Sequence, residues 1–155
     1  MPVTRRALSA SAAAREQHRR SMARYDAAAE QLGSDVQTVR LAGVRAMAEL
    51  ADEGLVWRRP CVAVLCALLR RWCPQEPAAD ERTAPPRLAW SQEQDFRLAI
   101  VEELAERLRL PAHDARSWRG IVDLAGVEFE RGGFLVRAGG LHLQGTALLA
   151  GDTED

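Results

Sequence analysis

The glycines of this sequence are unevenly placed, and their placement divides the chain. Eight of the eleven lie after Trp118, at positions 120, 126, 132, 133, 139, 140, 145 and 151. A glycine inside a helix costs about 1 kcal/mol relative to alanine, so no helix persists through such a density. Upstream, apolar residues recur at helical spacing instead. The pattern predicts helices up to about residue 110 and a different, strand-like organisation from residue 117 onward.

Residues 1–21 are rich in Ala and Arg with little apolar periodicity, and read as a flexible or weakly docked arm. From Met22 a face forms from Met22, Tyr25, Ala29 and Leu32, and Gly33 then fits a helix stop at positive φ. Ser34 or Asp35 is the expected cap of a second helix, whose apolar positions are Val39, Gly43, Ala46, Met47 and Leu50. Gly54 ends it. Pro60 suits the first position of a third helix, with Cys61, Leu65, Leu68, Leu69 and Trp72 as its stripe. Residues 74–89 form a Pro-rich loop. Ser91 and Gln94 read as a capping box before a fourth helix, which would bury Phe96, Ala99, Ile100, Leu104 and Leu108 and end at Pro111.

Two of these segments are alike. Residues 40–51 read RLAGVRAMAELA and residues 97–108 read RLAIVEELAERL, identical at six of twelve positions when offset by 57. Each copy carries small residues where a neighbouring helix can come close. The first copy with its lead-in, SDVQTVRLAGVRAMAELA, resembles a HEAT-type helical repeat, and the resemblance implies stacked helices over residues 22–110.

The glycine-rich part divides into fives: VDLAG, VEFER, GGFLV, a four-residue RAGG, then LHLQG and TALLA. Leu124, Phe129, Phe134, Leu143 and Leu148 hold the middle positions, and Val122, Val127, Leu141 and Thr146 first positions. VDLAG and LHLQG resemble the pentapeptide repeat, which implies a parallel β-coil with first and middle residues inside. Together with YDAAAEQLGSDVQTVRLAGVRAMAELADEG and SWRGIVDLAGVEF, the chain resembles bacterial pentapeptide-repeat proteins of the high-GC actinobacterial type. The expected fold class is therefore α+β, a HEAT-like helical bundle followed by a short, incomplete pentapeptide-like β-coil over residues 117–150, with an acidic tail at 151–155. Five quintets make little more than one coil, so the strip needs cover from the helices or from another chain.

The residues offer little chemistry. His113, Asp114 and Ser117 are sequence neighbours without a nucleophile-elbow motif. Cys61, Cys66 and Cys73 contain no C-x-x-C pair, and their spacing fits no standard zinc site. The chain has no Lys, which excludes a phosphate-binding P-loop. No catalytic residue, metal or cofactor is expected.

All 21 basic residues are Arg, a bias that a GC-rich genome explains, and the net charge is −1. Two Arg groups stand out. Arg19 and Arg20 belong to an N-terminal set of six, and Arg58, Arg59, Arg70 and Arg71 fall in a stretch without acids. Converging on one face, they would contact nucleic acid or an anionic surface. The alternative is solvated helix surface paired with the Glu-rich fourth helix. Trp57, Trp72, Trp90 and Trp118 are candidate anchors of an interaction surface. The longest apolar run, Cys61 to Leu69, is far short of the roughly 20 residues of a membrane span. The expectation is a cytoplasmic, non-enzymatic scaffold or protein-interaction module that binds another protein or a second copy of itself. Nucleic-acid or anionic-surface binding is the alternative.

Overall fold

The computed structural model describes residues 3–71, 84–131 and 134–137. Trp72, Cys73, the first part of the Pro-rich loop, the quintets from Leu141 onward and the acidic tail lie outside the described residues. Among those described, four helices make the fold: α1 (Val3–Leu32), α2 (Gln37–Asp52), α3 (Leu55–Arg70) and α4 (Ala84–Arg109). α2 packs against each of the other three, and α4 also meets α3.

α1 runs unbroken through the boundary expected at residue 21. Its N-terminal half is mostly Ala with Arg, Glu and Gln, which are strong helix formers, so it has helix propensity without an apolar stripe. The buried face is Ser21, Tyr25 (in part), Ala28 and Leu32, while Met22 is 44% exposed. The face is therefore turned by about one residue from the expected one. Gly33 closes the helix, its N–H donating to the carbonyls of Ala29 (3.3 Å) and Glu30 (3.1 Å). It does so without positive φ; among the described glycines that conformation belongs to Gly120 (76°) and Gly126 (77°).

Val36, not Ser34 or Asp35, holds the N-cap position of α2, and Ser34 Oγ accepts from the Val36 N–H at 3.1 Å just outside the helix. At Gly43 the end of α1 lies directly against α2: a Cβ there would stand 2.8 Å from the Leu32 backbone nitrogen. α3 begins at Leu55 with Gly54 as its N-cap, five residues before the expected start, so Pro60 lies inside the helix. α4 begins at Ala84 rather than near Ser91, and it takes in the last part of the expected loop 74–89. Its two prolines fall in the first turn, where their missing N–H groups would have no helical acceptor.

The expected α+β class is overturned: the core of the described fold is a four-helix arrangement, and no β-coil is present among the described residues. Residues 122–127, the first quintet and the start of the second, form turns with no strand pairing. Val122, Leu124 and Val127 are buried, as the quintet pattern requires of its first and middle positions, but in the same cluster as the helices. Past them lies one short ladder, β1 (Glu128–Arg131) with β2 (Phe134–Arg137). It is antiparallel, with Phe129 opposite Val136. With about four quintets to a coil, consecutive quintets are neighbouring sides that turn a corner, and each pairs in parallel only with the coil above or below, so consecutive quintets that pair antiparallel with each other cannot belong to one. Val122, Leu124 and Val127 take their apolar cover from the helices.

The core joins all four helices through Leu32, Met47, Leu50, Leu65, Phe96, Ile100 and Leu104, with Trp118 fully buried beside them. No described helix is long and apolar enough to cross a membrane.

Candidate interaction surface

The arginines explain much of how the helices are joined. A helix leaves its last carbonyls unpaired and its C-terminal end partly negative, which suits a cation. At the end of α2, the Arg58 Nε donates to the Ala51 carbonyl at 3.2 Å, and its NH2 reaches the Ala115 carbonyl. At the end of α3, Arg97 donates to the carbonyls of Leu69 (2.8 Å) and Arg71 (3.3 Å). At the end of α4, Arg119 donates to the Leu108 carbonyl at 3.0 Å. Arg70 holds the 122–127 turns, donating to the carbonyls of Asp123 (2.7 Å) and Ala125 (2.9 Å).

A second network was not legible in the sequence. Asp52 accepts from the Trp118 indole N–H at 3.0 Å and pairs with Arg107 at 2.9 Å, while Arg107 also meets Glu103 and lies 4.9 Å from the centre of the Trp118 ring. It ties the end of α2 to α4 and to the segment after it. Nothing in the spacing of three residues so far apart announces their contact.

These contacts decide where the sequence candidates stand. Arg58 is buried and Arg70 is committed to carbonyls. Arg19 and Arg20 are exposed on α1 and pair with Glu16. Arg59 and Arg71 are exposed at opposite ends of α3, about 18 Å apart at the ordinary helical rise. The six arginines therefore do not converge on one face. Trp118 is core rather than surface. Trp90 is half-buried, and its buried indole N–H meets no acceptor among the described residues. Trp72 lies outside them.

Trp57 belongs to a surface feature. α1 overhangs the end of α2, where Arg24 pairs with Glu53, and its preceding turns pass over the start of α3. There the Trp57 ring meets His18 (5.6 Å between centroids) and Tyr25 (5.8 Å). Beside it lies an open groove of about 320 Å³, lined by Ala14, His18 and Ser21 from α1 and by Leu55, Val56 and Trp57 from α3. Leu55 is 74% exposed and Val56 75%. Sequence periodicity missed both because they precede the expected helix start at Pro60.

The polar residues considered for catalysis have local duties. Asp114 accepts from the Arg116 N–H at 2.8 Å, a contact that holds its carboxyl below the usual range. Ser117 is buried, and its hydroxyl oxygen faces the Arg119 N–H at 3.5 Å. Burial pushes the Cys61 thiol up to about 11 and raises that of Cys66. Among the described residues no cluster of three His, Cys, Asp or Glu could hold a metal.

In comparisons with known proteins, no family model, no curated protein and no solved structure matches the chain.

Proposed function

We propose that this chain is a non-enzymatic interaction module, acting in the cytoplasm, that takes an apolar segment of a partner protein into the groove between α1 and the start of α3. One observation carries the reading. Leu55 and Val56 sit side by side, 74% and 75% exposed, on the rim of a groove backed by Trp57. Adjacent aliphatic side chains gain about 1.5–3 kcal/mol each when fully buried, and an aromatic at the centre is the usual anchor of such a contact. The resemblance of residues 34–51 to a HEAT-type repeat is in keeping with this reading, since helical repeats of that kind present surfaces to partners.

The test is affinity capture from cells at native expression, wild type against Leu55→Ser/Val56→Ser. A partner recovered reproducibly by the wild type and lost with the variant is the expected result. No reproducible partner, or one retained equally by the variant, overturns the proposal. Nucleic-acid binding is disfavoured because Arg58 and Arg70 are spent on carbonyls. The accompanying expectation is no salt-dependent binding to duplex DNA in a salt-titrated anisotropy assay.

A further inference from the structure

The outward face of α1 carries a charge pattern that works against the helix itself. Arg15, Arg19, Met22, Asp26 and Glu30 fall within a stripe about 80° wide at the ordinary helical repeat, and all five are exposed. The stripe lies away from the buried face of Ser21, Ala28 and Leu32. Arg15 and Arg19 are like charges one turn apart, and so are Asp26 and Glu30, an arrangement that destabilises a lone helix. The bases also stand nearer the N-terminal end and the acids nearer the C-terminal end, opposite to what the helix dipole favours. Arg15, Asp26 and Glu30 pair with nothing among the described residues, and Arg19 has only Glu16 on its own helix.

The pattern becomes favourable against a copy of itself. Arg15 stands as far before the midpoint between Met22 and Ala23 as Glu30 stands after it. Arg19 and Asp26 are likewise equidistant from that point. In an antiparallel pair of identical helices crossing there, Arg15 faces Glu30 of the second copy and Arg19 faces its Asp26, each twice by symmetry. The 44%-exposed Met22 then lies on the axis against the small Ala23. A two-fold interface must be self-complementary in this sense. A parallel pair would instead oppose like charges along its whole length. The two helix dipoles also oppose each other only in the antiparallel arrangement.

We propose that two copies of this chain associate antiparallel through this face of α1. The inference stands apart from the groove, because Asp26 and Glu30 do not line it. The contact is built from exposed ion pairs around one methionine, so it is weak and salt-sensitive.

Sedimentation velocity of the full chain, from about 1 to 500 µM, tests it. At low salt the mass is expected to rise with concentration toward twice 17.1 kDa. The dissociation constant is expected to rise by about tenfold between roughly 0.05 and 0.5 M salt. Arg15→Glu/Arg19→Glu should remain monomeric, as should Asp26→Arg/Glu30→Arg. An equimolar mixture of the two variants should associate, since the charges are again complementary, and the quadruple reversal should associate alone. All four positions are on the surface, and equal helical circular dichroism establishes that the variants fold. A wild-type mass independent of concentration overturns the proposal, as does a double variant that still dimerises or a mixture that does not.

Discussion

Gly43 marks the point where α1 rests on α2. Replacing it by Ala should gain about 1 kcal/mol of helix propensity. The new Cβ would meet the Leu32 nitrogen at 2.8 Å and the Gln31 Cβ at 2.9 Å. Overpacking of that kind costs about 1–3 kcal/mol, and a backbone atom cannot turn aside as a side chain can. Gly43→Ala is therefore expected to be destabilising by about 1 kcal/mol net, read as a lower urea midpoint with an unchanged slope. Cys61 gives a second prediction at this scale. Its thiol is raised from 9.0 to about 11 by burial, so the unfolded chain loses that proton first. The stability it contributes is complete below pH 9.0 and is lost as pH rises toward about 11. Cys61→Ala should flatten the fall in stability across that window. A fall as steep as that of the wild type would show that other groups cause it. The small size of residue 43 was legible in the sequence, but the neighbour that requires it was not.

Pro60 makes the clearest case at the scale of the element. It lies at the sixth position of α3, where it cannot donate to the Val56 carbonyl and its ring crowds that oxygen. Val56 is 75% exposed, so its carbonyl can turn to water. Pro60→Ala is expected to raise stability by about 1–3 kcal/mol and to increase helical circular dichroism. A loss of stability would mean that the proline's restriction of the unfolded chain outweighs the missing bond. The four helices were legible because their apolar residues recur at the helical period. Three of their starts were not. α1 begins in Ala-rich sequence that has helix propensity without periodicity. α3 begins with Leu55 and Val56, which face solvent and so break the pattern. α4 begins in prolines that usually mark a loop.

At the scale of the molecule, the Asp52, Arg107 and Trp118 network joins α2, α4 and the segment that follows. Asp52→Ala would leave the Arg107 guanidinium, whose side chain is 9% exposed, with Glu103 and the exposed Glu106, and the Trp118 N–H without its acceptor. Removing one partner of a buried pair costs about 3–5 kcal/mol, and the remaining glutamates offset part of it, so a loss of about 2–4 kcal/mol is expected. Chemical denaturation followed by tryptophan emission checks this. A loss under about 0.5 kcal/mol would place the network among ordinary surface pairs. The same scale decides the glycine-rich segment. Its first quintet buries Val122 and Leu124 against helices, so a pattern that fits a β-coil is satisfied by a helical core.

The sequence by itself determined that four helices fill the first two thirds of the chain and which side chains of α3 and α4, and most of those of α2, supply the core, because their apolar residues keep the helical period. Its glycines also determined that helix stops before the quintets. Only the tertiary structure decided what covers the first of them, because an apolar pattern reports that a residue needs an apolar neighbour and not which neighbour it finds. It also decided what the arginines do. Arg58, Arg97 and Arg119 reach carbonyls at the ends of α2, α3 and α4, contacts that depend on distance in space and leave no period in the sequence.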